Sequence, residues 1–142
     1  MDTLARMQAE DDPRRLRSGT LDDLIGVEYL GGGPEGARAR FEVVDAVRQP
    51  FDIVHGGAMA AIAESVCSRA TFEAVSGEGM IAMAQSNQAS FLRPVSSGHV
   101  EVEAKVRHRG RTTWVWDCEL TDDQGRLCAL VRMTIAVRPR PS

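Results

Sequence analysis

His55 to Val75 reads HGGAMAAIAESVCSRATFEAV, and its spacing predicts one long helix over roughly residues 56–75. Ala58, Ile62, Val66, Ala70 and Ala74 recur at every fourth position and form a stripe. Met59, Ala61, Ala63 and Cys67 widen that stripe to most of the circumference. A helix apolar nearly all round belongs inside a protein, because a surface helix carries a charged back face. Glu64, Ser65 and Ser68 therefore stand out as polar residues on a buried helix.

On both sides of this stretch the hydrophobic period falls to two. Upstream, Leu24 to Leu30 and Ala37 to Val44 read as strands, with Gly31-Gly32-Gly33-Pro34 as the turn between them. In the second of these, Ala37, Ala39, Phe41 and Val43 alternate with Arg38, Arg40 and Glu42. Downstream there is room for four more strands. Val100, Val102, Ala104 and Val106 alternate with Glu101, Glu103, Lys105 and Arg107, and Leu127 to Val137 alternates as strictly. Arg109-Gly110 and Asp122-Asp123-Gln124-Gly125 punctuate these as hairpin turns, so consecutive strands are expected to pair antiparallel. Two strands, one buried helix and four strands imply an α+β fold, an antiparallel sheet wrapped around one long central helix. A single domain over residues 1–142 is expected, with residues 1–20 a polar extension in which Thr3 to Glu10 forms a short helix ahead of Pro13.

The composition narrows the function classes. With 43% hydrophobic and 26% charged residues the 142-residue chain is an ordinary globular protein, and its formal charge of −3 argues against nucleic acid as a partner. Cys67, Cys118 and Cys128 show no metal-ligand spacing and sit in apolar segments, which makes them core thiols. Met1 to Ser18 mixes acids with Arg14, Arg15 and Arg17 and lacks an apolar run of signal-peptide or membrane length. No membrane partner and a cytoplasmic location are the expectations, and no metal or cofactor is called for.

Chemistry gathers at the helix. His55-Gly56-Gly57 places unshielded backbone N–H groups at its start, where a partial positive charge can hold an anion or a developing oxyanion. The same tripeptide also reads as a tight turn with a satisfied histidine. Glu64 reads as a catalytic acid, one half of an ion pair or an oligomer contact, since an isolated buried carboxylate is costly. Ser68, one turn on, is placed to hydrogen-bond Glu64 or a water, or it is a small residue in tight packing. Eight residues separate Gly56 from Glu64, about 12 Å along the axis. One carbonyl cannot meet both in a single chain, so if both act on it they come from two antiparallel subunits related by a twofold. Arg107, His108, Arg109 and Arg111 crowd one hairpin, with Arg93, Arg138 and Arg140 elsewhere. They are either solvated turn charges or a seat for the phosphates of a nucleotide-like ligand.

Several separated segments, in order, resemble the PaaI-like hotdog thioesterases: His55-Gly56-Gly57, Ala63-Glu64, Phe91-Leu92-Arg93-Pro94-Val95 and Gly110-Arg111-Thr112-Thr113. Gln85-Ser86-Asn87, Ser90-Phe91, Gly98-His99-Val100, Thr112-Thr113-Trp114 and Thr134 to Arg140 look most like 4-hydroxybenzoyl-CoA thioesterases of the helix-glutamate type. The resemblance runs from about Val43 to Arg140; Ser68 stands where close relatives often carry threonine, and Arg111 where they carry a smaller residue. It implies hydrolysis of an aromatic acyl-CoA, CoA being part of the substrate. Glu64 would be nucleophile or general base, the Gly56 N–H would polarise the carbonyl, and Gln49 and His55 would position the reacting groups. Arg93, Thr112, Arg111, Arg138 and Arg140 would touch CoA, and a homotetramer built from active-site dimers would be the assembly. An acyl-thioester dehydratase or hydratase, and a non-catalytic acyl-CoA-binding protein, are the rival readings.

Overall fold

A computed structural model describes residues 18–142 of the protein. The short helix expected over Thr3 to Glu10 lies outside the described residues. The elements in chain order are α1 (Leu21–Ile25), β1 (Glu28–Gly32), β2 (Gly36–Glu42), α2 (Gly56–Val75), β3 (Met80–Phe91), β4 (His99–Arg109), β5 (Thr113–Asp122) and β6 (Leu127–Pro139), with 3-10 turns at Asp45–Val47 and Ser76–Glu78.

The strand expected from Leu24 is corrected at its start, where Leu24 and Ile25 belong to α1. Start and stop signals outweigh alternation there. Asp23 accepts from the Thr20 N–H at 3.2 Å, and Gly26 closes the helix with φ 78°, a left-handed conformation that glycine adopts without strain.

All six strands form one antiparallel sheet in the order β1-β2-β4-β5-β6-β3. The expected pairing of consecutive strands holds for β1 with β2, β4 with β5 and β5 with β6. It fails for β3 and β4, because α2 carries the chain across the sheet and sets β3 down beside β6 instead. Among the described residues β3 is consequently an edge strand of twelve residues, with one row of backbone groups unpaired.

The expected central helix is present with the expected bounds. One side of α2 carries Met59, Ile62, Ala63, Val66, Cys67 and Ala70 into the concave face of the sheet, against residues such as Phe41, Val102, Trp116, Leu120, Met133 and Ile135. Alternation supplies these inward residues and leaves Glu101, Glu103 and Lys105 facing out. The helix is not buried all round, however: Gly57 and Glu64 are exposed, and Ala58, Ala60 and Ala61 only half-buried. Its apolar circumference reflects small alanines on a side that the described residues leave open rather than complete enclosure.

The three cysteines are buried as expected, with the Cys67 and Cys118 sulfurs 3.2 Å apart. The hydrogen bond between them and then burial push the Cys67 thiol far above its usual range, so it is not a nucleophile at neutral pH. Where α2 meets β5, the buried indole of Trp116 donates to Thr71 Oγ1 at 3.0 Å, and that hydroxyl donates to the Cys67 carbonyl at 2.8 Å. Each polar atom in this fully enclosed chain has a partner. Thr71→Val keeps the shape but strands the indole N–H, and should cost about 1–3 kcal/mol, read as a lower urea midpoint with an unchanged slope.

Candidate active site

The loop before α2 is tightly tied. Gln49 N–H donates to the Ile53 carbonyl at 2.8 Å, Asp52 N–H returns to the Gln49 carbonyl at 2.9 Å, and Arg48 pairs with Val54. Asp52 takes the left-handed conformation, φ 67°, that this turn demands. The Gln49 side-chain oxygen accepts from the Phe51 N–H, and Arg48 Nη1 donates to the carbonyls of Asp52 and Ser96, both at 2.8 Å. A rigid loop thus presents His55 as the cap of α2.

The two glycines at this helix start differ. His55 Nδ1 accepts the Gly57 N–H at 2.7 Å. The Gly56 N–H has no partner among the described residues, so one donor remains open where the helix dipole is positive. A Cβ at 56 would lie 2.9 Å from the Phe91 ring, so any larger residue there has to push that ring aside. Phe91 is 54% exposed and walls this donor on one side.

Glu64 is exposed, which corrects the buried carboxylate expected from the sequence. The helix turns it away from the sheet, and among the described residues nothing hydrogen-bonds or ion-pairs with it. It lies about 12 Å along the axis from Gly56, as the residue count requires. Gln49, His55 and Gly56 are therefore together, and Glu64 is apart from them within one chain. Ser68 makes no hydrogen bond to Glu64; it lines a cavity of about 500 Å³ with Asp22, Tyr29, Ser65 and Arg69. Asp22 and Tyr29 carry no motif, and their part in this cavity shows only in the folded chain.

The basic residues fall into two groups. Arg111, Thr112 and Arg138 line a second cavity, of about 560 Å³, with Arg109 stacked 4.8 Å over Trp114. Arg138 Nη1 donates to the Thr112 carbonyl at 2.7 Å, and the Arg140 N–H reaches the Gly79 carbonyl at 2.9 Å, so Arg140 belongs to the same end. Arg93 sits at the opposite end of β3, where its N–H reaches the Cys128 carbonyl at 3.2 Å. Eleven strand steps, roughly 36 Å, separate the two ends, so one chain cannot bring all five residues to one ligand. Met80 and the buried Trp114 also line the second cavity, while Phe51 and Met83 are 86% and 53% exposed.

No helix among the described residues is long and apolar enough to cross a membrane. The thioesterase superfamily matches residues 51–129, which spans α2 and the site around it. The proofreading thioesterase EntH of Cronobacter turicensis is 35% identical over 119 residues, covering 84% of this chain and 86% of its own. The thioesterase PA1618 of Pseudomonas aeruginosa is 35% identical over 120 residues, covering 84% and 83%. Its crystal structure, a glutamine-to-alanine mutant, superposes with a TM-score of 0.83 over 98% of this chain and 96% of that one. SAV0944 of Staphylococcus aureus was crystallised as a glutamine-to-alanine mutant, described as a thioesterase, and as a glutamate-to-alanine mutant, each superposing with a TM-score of 0.81 over 84% of this chain and 98–99% of that one, at 27% and 28% identity. With its six-stranded sheet, its single long helix and this match over more than half its length, the chain belongs to the thioesterase superfamily of hotdog-fold thioester hydrolases.

Proposed function

We propose that this thioesterase hydrolyses an aromatic acyl-CoA, of 4-hydroxybenzoyl or phenylacetyl type, at a site shared by two subunits. The observation that carries the reading is a pair of groups on α2 without partners among the described residues, the Gly56 N–H and the Glu64 carboxylate, too far apart to serve one carbonyl in one chain. The thioester oxygen takes the Gly56 N–H of one subunit, and the partner's Glu64 faces the carbonyl carbon. As general base, Glu64 draws a proton from water as it adds to that carbon; as nucleophile, it adds directly and forms a mixed anhydride that water then opens. In both routes negative charge grows on the oxygen held at the helix start, and the carbon–sulfur bond breaks to release CoA. Gln49 and His55 hold this end in shape. The spacing in a relative supports the pairing of roles: the glutamine and the glutamate replaced in SAV0944 are 15 residues apart, as Gln49 and Glu64 are here.

A twofold through the middle of β3 favours this geometry. Helices that bring Gly56 opposite the partner's Glu64 are centred on Ala60, whose carbonyl accepts from Asn87 Nδ2 at 3.0 Å near the middle of β3. Antiparallel pairing of two β3 edges about the same point satisfies their free backbone groups and covers apolar residues such as Met83 and Phe91. It also sets Arg93 of one chain beside the partner's Thr112, Arg111, Arg138 and Arg140, which brings the two basic groups to one CoA.

Three outcomes follow. Glu64→Ala should lower kcat at least about 10²-fold while substrate still binds, and near-normal turnover would refute the assignment. Mixing Glu64→Ala chains with Gln49→Ala chains, each weak alone, should restore about a quarter of wild-type activity, since half the dimers then hold one intact site out of two; a site within one chain would restore none. Arg93→Ala and Arg138→Ala should each raise KM for the acyl-CoA about 10-fold, the worth of one charge-assisted contact. Neither should alter KM for the same acyl group on N-acetylcysteamine, which lacks the nucleotide.

A further inference from the structure

Ahead of α2 the chain makes a small hairpin of its own. The Val47 carbonyl accepts from the His55 N–H at 2.8 Å, Arg48 pairs with Val54, and the Gln49 N–H donates to the Ile53 carbonyl at 2.8 Å. The Asp52 N–H donates back to the Gln49 carbonyl at 2.9 Å and closes the tip. One arm of this hairpin carries Gln49, and the other runs without a break into His55 and the start of the helix. Its shape therefore fixes where the Gly56 N–H stands.

The tip is built on an unfavourable residue. A three-residue hairpin loop of this kind closes on a left-handed residue, which glycine usually supplies. Asp52 supplies it here, at φ 67°, the one non-glycine with positive φ among the described residues. Arg48 reaches over this tip from the first arm. Its Nη1 donates to the Asp52 carbonyl and to the Ser96 carbonyl, both at 2.8 Å, so one group grips the left-handed peptide and ties the hairpin to the β3–β4 connection. The Val54 N–H makes a second tie to that connection, reaching the Val95 carbonyl at 2.8 Å.

The carboxylates near Arg48 contribute less than these carbonyls. Asp45 lies 3.4 Å from Nε and Asp52 Oδ1 lies 3.5 Å from Nη1, but the two acids are 106% and 88% exposed, whereas the Arg48 side chain is 20% exposed. The charge-assisted bonds to backbone carry the contact. Both hydrogens of Nη1 are engaged by carbonyls, so Arg48 acts through the backbone rather than on a substrate.

We propose that Arg48 is a positioning residue for hydrolysis: by holding Asp52 left-handed and the hairpin against Ser96, it sets the Gly56 N–H and Gln49 at the reacting carbonyl. This role rests on the Gly56 N–H acting at the thioester oxygen. It makes Arg48 matter to the rate of the chemical step and not to the binding of CoA, whose proposed contacts lie on other elements.

The test measures kcat and KM for phenylacetyl-CoA or 4-hydroxybenzoyl-CoA, whichever the wild-type protein cleaves faster, in full-length variants held well below their unfolding midpoints. Arg48→Met keeps much of the side-chain length and removes the donors. It should lower kcat about 10-fold with KM within about twofold of wild type, since about 1 Å of misplacement at a reacting carbon costs roughly 10²-fold and a partial shift less. Arg48→Lys, which retains a charged donor without the planar fork, should fall between. Asp52→Gly added to Arg48→Met should return kcat to within about threefold of wild type, because glycine takes the left-handed conformation unaided. Wild-type kcat in Arg48→Met, a loss confined to KM, or a double variant no faster than Arg48→Met would each overturn the proposal. Should Arg48→Met fail to fold, Arg48→Lys with and without Asp52→Gly makes the same comparison. Glu64→Ala run beside them separates the two readings. If it is inactive while Arg48→Met keeps its full rate, only the role of Arg48 fails; if it is fully active, the hydrolytic reading fails with it.

Discussion

The packing of one side of α2 into the concave face of the sheet constrains everything else in this molecule. Ile62, Ala63, Val66 and Cys67 are at or near zero exposure, and the Trp116–Thr71–Cys67 chain of hydrogen bonds pins the rotation of the helix about its axis. Once that rotation is set, the direction of every other side chain on α2 follows from 100° per residue. Glu64 must point away from the sheet and Gly56 must stand at the exposed end. Among the described residues, six strands seal one side of the twenty-residue helix and leave the other open.

That same shortfall explains which parts of the fold were legible in the sequence. The helix was readable because its apolar stripe and its His-Gly-Gly start agree, β4 and β6 because alternation marks an inner and an outer face, and β5 because two turn signals bound it. Alternation does not name a strand's neighbour, however. β3 and β4 follow one another in the chain, yet α2 crosses the sheet before β3, and only the folded molecule shows β3 beside β6. Leu24 was misread because Leu21 and Leu24 are 58% and 63% exposed, apolar residues that report no buried face at all.

The candidate site was legible as chemistry and illegible as location. Glu64 was conspicuous because an acid interrupts an alanine-rich run, but the same alanines suggested burial that the single chain does not provide. Their small side chains leave room on that side of α2, which in the proposed pair is where the partner helix approaches. The Gly56 N–H gave no signal of its own: that His55 consumes the neighbouring Gly57 N–H and leaves Gly56 free depends on a side-chain rotamer. Asp22 and Tyr29 were invisible for a simpler reason, since 43 residues separate Asp22 from the Ser65 hydroxyl it accepts.

Two features left without partners among the described residues, an edge strand with free backbone groups and a helix with a free donor and a free acid, are related by geometry. Both are centred on the contact between Asn87 and Ala60. A twofold there pairs the strands and crosses the helices in one operation, so association of two chains would complete the sheet and the site together. This joins stability to function in the proposed dimer. A change that loosens β3 pairing moves Gly56 relative to the partner's Glu64, and at a reacting carbon a displacement of about 1 Å is enough to cost roughly 10²-fold in rate.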